Sequence, residues 1–78
     1  MAPYEVKAEW DEEASVWVAS SDDVPGLATG ADTFEGLVDK LKIVIPELLE
    51  ANGLLPAGAA DVPFAITAER TERARRVA

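Results

Sequence analysis

One stretch of the chain carries a helical period, and it limits the fold to a single helix laid against something else. Phe34, Leu37, Val38, Leu41, Val44, Ile45, Leu48 and Leu49 recur at the spacing that gathers apolar side chains on one side of a helix. Asp32 or Thr33 can cap its start, and Asp32 with Glu35 has the spacing of a capping box. Asn52-Gly53 is a C-terminal stop, because glycine accepts the left-handed conformation that ends many helices. Pro46 falls inside the stripe and cannot donate to the carbonyl of Lys42, so a kink or a break is expected there.

Elsewhere the period is two. Tyr4, Val6, Ala8 and Trp10 alternate with Glu5, Lys7 and Glu9, the pattern of a strand with one wet face. Asp11 to Ala14 is polar and turn-like, and Ser15 to Ser20 (SVWVAS) is β-branched and aromatic, so the two strands form an antiparallel hairpin. Ser21 to Gly26 is a turn cluster, followed by a short third strand at Leu27-Ala28-Thr29. After the helix, Leu54 to Asp61 is a connection rich in Ala, Gly and Pro. Val62 to Glu69 alternates again and is the fourth strand, with Pro63 confining its start to a sheet edge or a first residue. The fold class is therefore α+β, in the order β-β-β-α-β. A right-handed crossover then gives a four-stranded mixed sheet ordered 3-2-1-4, with the helix on one face. The domain spans 1–70, and the basic tail 71–78 is expected to be frayed.

A chain of 78 residues buries a small core, and domains of this size usually recruit disulfides, metals or oligomerisation. With no cysteine and no histidine, disulfides and the usual zinc sites are excluded, which leaves self-association or a partner protein. Residues 70–78 hold four arginines against Glu72, a net of +3, while residues 1–69 hold three lysines against fourteen acids, a net of −11. An acidic body keeps a small protein soluble, repels nucleic acid and anionic membrane, and favours a basic partner. No run of residues is long and apolar enough to span a bilayer, and acids throughout the first twenty positions are incompatible with a secretory signal. The chain reads as cytoplasmic.

Catalysis is not expected. Nucleophilic chemistry needs an activated side chain beside a base, and Ser15, Ser20 and Ser21 have no such neighbour in a chain without histidine. Asp11-Glu12-Glu13 and Asp22-Asp23 could serve acid–base or metal chemistry, but both lie on turns, where acids ordinarily shape the backbone and stay solvated. No cofactor motif is present. The tail arginines make a poor footprint for nucleic acid beside so acidic a body.

The stretch WDEEASVWVASSDDVPGL, followed by a capped helix ending in Asn-Gly and the closing strand VPFAITAER, resembles the small HicB-like domains, in the branch known as a domain of unknown function. The most specific parts are Asp23-Val24-Pro25-Gly26 and the helix led by Thr33; the resemblance runs from about Val6 to Arg70. It implies a trimmed ribonuclease-H-like fold and the role of an antitoxin that blocks a small basic ribonuclease toxin of the HicA type. Many HicB proteins carry a separate DNA-binding module; about nine residues after the fourth strand leave no room for one here. Gly36 also departs from the pattern, standing where an acid would complete a capping box from Thr33. The metal-binding acids of a ribonuclease-H nuclease are missing, since the inward face of the first strand offers Tyr4, Val6, Ala8 and Trp10.

One helix covers one face of the sheet, so the other is open to a partner. If the alternation holds, it shows Glu5, Lys7, Glu9, Trp17, Ala19, Ala65 and Thr67, with Asp22 and Asp23 on the adjoining turn. Trp17 would then anchor an interface. The opposite register places Trp17 in the core and Val16 and Val18 outside, and both remain open at this point. Trp10 is expected to cap the core. The expected partners are the chain itself, as a homodimer or tetramer, and a small basic toxin protein, with neither nucleic acid nor membrane.

Overall fold

The computed structural model describes residues 2–55, 58–59 and 61–77. Its elements run β1 (Tyr4–Asp11), β2 (Val16–Ser20), β3 (Thr29–Ala31), α1 (Phe34–Ala51) and β4 (Phe64–Glu69). They form one mixed sheet ordered β3-β2-β1-β4, the topology expected from the sequence. β1 pairs antiparallel with β2 and parallel with β4, and β2 pairs antiparallel with β3.

Register settles the question of faces. Ala8 lies opposite Ala19 and Trp10 opposite Trp17, so all four share the helix side. Ala8 and Ala19 are buried there with Val6, while Leu37, Leu41, Ile45 and Leu49 supply the facing side of α1 and are fully buried. Small alanines at the middle of the sheet let the four long aliphatic side chains approach closely, which is how a core of this size reaches interior density.

The helix starts one residue after Thr33, whose extended backbone and hydroxyl make it the N-cap, with Oγ1 accepting from the Gly36 amide at 3.0 Å. The alternative box from Asp32 to Glu35 is not formed; Glu35 instead sits in the first turn, where the helix dipole favours an acid. A Cβ at Gly36 would lie 2.8 Å from Thr33 Oγ1, so a larger residue there must displace the cap hydroxyl from its present position. At the far end the Leu54 amide donates to Leu49 O and the Gly53 amide to Glu50 O, a Schellman closure with Gly53 at φ +67°. The Asn52 side chain also donates to Leu48 O at 2.8 Å and to Pro25 O at 3.4 Å, tying the helix end to the β2–β3 loop.

Three expectations change. Of the kink or break expected at Pro46, the break does not occur, since the helix runs unbroken from Phe34 to Ala51. The carbonyl freed by the proline belongs to Lys42, an exposed residue, where water can satisfy it. The third strand is Thr29–Ala31 rather than Leu27-Ala28-Thr29, because Leu27 is drawn into the core and its amide closes a turn on Val24 O. The fourth strand begins at Phe64 rather than Val62, after Pro63, whose carbonyl still accepts from the Tyr4 amide. Within the connection and the tail, residues 56, 57, 60 and 78 lie outside the described residues. Among those described, residues 70–77 have no regular structure and are exposed.

Candidate binding face

The alternation of β1 sends Glu5, Lys7, Glu9 and Asp11 to the side away from the helix. Pairing then fills in the rest of this open face. Lys7 lies between Ser20 and Thr67, Glu9 between Val18 and Glu69, and Glu5 beside Ala65. The centre of the sheet therefore presents acids in a frame of small or hydroxylated side chains. Lys7 pairs with Glu9 at 3.4 Å, but both side chains are more than half exposed, so the pair holds little energy and the face stays acidic.

One end of this face is built by the β2–β3 loop. Ser21 Oγ donates to Glu5 O at 2.5 Å and accepts from the amides of Asp23 and Val24. Asp23 Oδ2 accepts from the Glu5 amide at 2.8 Å, so the loop is stitched to the first residues of β1 by both a hydroxyl and a carboxylate. Val24 and Leu27 anchor it in the core, and Gly26, at φ +81°, makes the turn between them. The result is an open cleft of about 560 Å³ bordered by Glu5, Lys7, Ser20, Asp22, Asp23 and Thr67. At the other end of the sheet, Asp11 Oδ1 accepts from the Ala14 amide within the hairpin loop, which Ser15 closes at φ 56°. Asp11 and Asp23 are thus turn-building acids.

Five of the six residues singled out from the sequence gather on one side: Glu5, Lys7 and Glu9 on the open face, Asp22 and Asp23 at its rim. Trp17 does not join them, and Ala19 is buried in the core. Trp17 is half-buried on the helix side, edge-on to Trp10 at 5.5 Å and to Phe34 of α1 at 5.6 Å. Val18 takes the outward position and is 40% exposed. Trp10 extends this aromatic row, with the Arg70 guanidinium stacked 4.1 Å from its ring centre and bonded to Glu72. Ser21 and Glu69 belong to the face and were not singled out from the sequence. Ser21 was readable as a hydroxyl two residues ahead of an amide it could bind. Glu69 shares the outward alternation of Ala65 and Thr67, and strand pairing adds that it lies opposite Glu9.

Among the described residues no helix is long and apolar enough to cross a membrane, and no three metal-ligating side chains cluster. No curated protein matches the chain. Among solved structures it is similar to a hypothetical protein, TTHA1013, from the extremely thermophilic bacterium Thermus thermophilus. The two share 48% identity and a TM-score of 0.70 over 96% of this chain and 100% of that one. The family model described as a domain of unknown function, DUF1902, matches residues 3–78, and the chain belongs to that family.

Proposed function

We propose that this chain is a non-catalytic binding module of the HicB-like kind, an antitoxin whose acidic open face receives a small basic ribonuclease toxin of the HicA type in the bacterial cytoplasm. The observation that carries the reading is the charge of that face. Glu5, Glu9, Asp11 and Glu69 stand on it against a single lysine, with Asp22 and Asp23 at its rim. Such a surface speeds the encounter with a basic protein and can cover the cationic groups that protein uses to hold RNA. It also disfavours nucleic acid and anionic membrane as partners of the body itself. Catalysis has no support in the arrangement, since the acids are spread over an exposed surface and two of them hold turns.

The test is calorimetric titration of the full chain with the product of a short basic reading frame beside its gene. Saturable binding that weakens steeply with salt, and weakens further in Glu5→Lys and Glu9→Lys, is the expected result. Absence of binding at low salt defeats the antitoxin reading.

A second reading, a self-associating domain without a toxin partner, is favoured by a different observation. β4 is six residues long and pairs on one side only, whereas the opposite edge is the three-residue β3, on which Lys40 Nζ donates to Gly30 O. One edge of the sheet is therefore short and partly capped, and among the described residues the other pairs with no strand.

A further inference from the structure

The C-terminal segment is unlike the rest of the molecule in shape and in charge. The body is short: α1 and β1 each measure about 26–27 Å from their residue counts. Yet the chain extends 60 Å along its long axis against 23 and 19 Å across, and its radius of gyration is 15.0 Å where a compact chain of this length has about 11–12 Å. Eight residues in extended form span about 26 Å, enough for residues 70–77 to supply the excess. They leave β4 at the hairpin end of the sheet, where Thr71 and Arg73 pass Glu12. Arg70 is fixed there by Trp10 and Glu72. Arg73, Arg75 and Arg76 are exposed and make no ion pair among the described residues.

The geometry points to an exchanged arm. Two copies pair through their β4 edges, and residues 70–77 of each pass the Phe64 end of the other's β4 and place Arg73, Arg75 and Arg76 at the cleft bordered by Glu5, Asp22 and Asp23. This rests on the self-associating reading and adds what holds the copies together. Three observations carry it. First, the charges are complementary, +3 on residues 70–78 against −11 on residues 1–69. Second, the topology delivers the arm. β4 is parallel to β1, so its first residue lies at the same end of the sheet as Glu5 and the Asp23 loop. When two β4 strands meet antiparallel about a two-fold axis, each chain leaves the pair at the other's Phe64 end, beside that cleft. Third, the arm does not serve its own cleft equally well. To fold back it must first reverse beyond Arg70, which is already held against Trp10, and then retrace β4. Arg73 would stand opposite the far half of that strand.

The test uses the full chain, and the absence of native cysteine makes it clean. Sedimentation of the wild type is expected to show a dimer. The variant Arg73→Glu/Arg75→Glu/Arg76→Glu touches no buried residue, and far-UV circular dichroism verifies its fold. Its dimer is expected to weaken at least ~10-fold, as several exposed ion pairs are lost from both arms together. Adding Asp22→Lys to that variant is expected to recover part of the loss. Separately prepared Asp22→Cys and Arg75→Cys chains, mixed and oxidised, are expected to give a disulfide between the two variants. An arm variant that dimerises like the wild type, or a mixture of the Asp22→Cys and Arg75→Cys chains that gives no disulfide between the two variants, overturns the exchanged arm and leaves self-association standing. A wild type that sediments as a monomer throughout overturns both.

Discussion

Replacing Trp17 with alanine separates the two registers that the sequence left open, and it bears on where a partner can bind. In the structure the indole is half-buried on the helix side and meets Trp10 and Phe34 edge-on at 5.5 and 5.6 Å. Truncating a fully buried Trp to Ala costs about 3–5 kcal/mol, and an aromatic pair contributes about 0.5–1.5 kcal/mol beyond its buried area. For a half-buried ring with two such neighbours, the loss is about 2–3 kcal/mol. A domain of 78 residues has an unfolding entropy near 0.16 kcal/mol/K, so Tm falls by about 12–18 °C. That is a large part of a total stability of about 4–12 kcal/mol. Thermal and urea unfolding followed by far-UV circular dichroism measures it, with Val18→Ser as control. Val18 faces away from the helix at 40% exposure, so its loss costs under about 1 kcal/mol. A double-mutant cycle with Phe34→Leu adds a coupling of about 0.5–1.5 kcal/mol. Finding Val18→Ser costlier than Trp17→Ala, with no coupling to Phe34, would refute the register and return Trp17 to the open face.

The N-terminal cap offers a paired prediction: Thr33→Ala removes the bond to the Gly36 amide and costs about 1 kcal/mol, or about 6 °C. Gly36→Ala lowers Tm as well, despite alanine's better helix propensity, since its Cβ meets Thr33 Oγ1 at 2.8 Å. A gain in Tm for Gly36→Ala shows that the cap can shift freely and that the close approach is unimportant. Gly26→Ala, at φ +81°, costs about 1–2 kcal/mol in urea unfolding and loosens the loop that presents Asp22 and Asp23. An unchanged midpoint contradicts that turn geometry. Glu69→Lys replaces an acid standing opposite Glu9 and stabilises the fold by about 0.2–1 kcal/mol, an effect that shrinks in high salt. A salt-independent change of either sign counts against direct cross-strand repulsion.

The topology was legible because the periods were unambiguous. Eight apolar positions at helical spacing allow one element only, and the alternation from Tyr4 to Trp10 commits β1 to a fixed pair of faces. Glu5, Lys7 and Glu9 were therefore assignable to the open face before any pairing was known. β2 was different. In SVWVAS the outward and inward positions are both apolar, so period two gives no sign to the faces, and only the pairing of Trp10 with Trp17 decides. β3 was misplaced for a related reason: Leu27 looks like a strand residue by composition but is spent on anchoring a turn in the core. Pro46 shows the limit of local rules. Leu37, Leu41, Ile45 and Leu49 are fully buried on both sides of it, and that shared packing outweighs one missing hydrogen bond. The acidity of the open face was visible as a total and in the alternation of Glu5, Glu9 and Glu69, but the meeting of Glu69 with Glu9, sixty residues apart in sequence, depended on pairing.

The distribution of burial makes β4 the strand whose order should depend most on a partner. Among the described residues, none of the ten buried core residues belongs to it; Phe64 and Ile66 are half-buried, and Ala68 is exposed although it faces the helix side. The helix lies over β3 and β2, which leaves β4 held by its ladder to β1 and by partly buried neighbours such as Leu55 and Val62. Local stability follows buried apolar contact, so β4 amides bonded to β1 should exchange through openings of lower free energy than those of Leu41 or Ile45. Native-state hydrogen exchange at low protein concentration measures this directly. Association at the free edge would bind the ordered strand and not the opened one. By mass action, β4 protection must then rise with protein concentration, while helix protection rises only as far as global stability does. Protection in β4 equal to that of α1 at the lowest concentration would show that the strand is held within one copy. Protection below that of α1 and flat across concentration would show that the edge is free but takes no second copy.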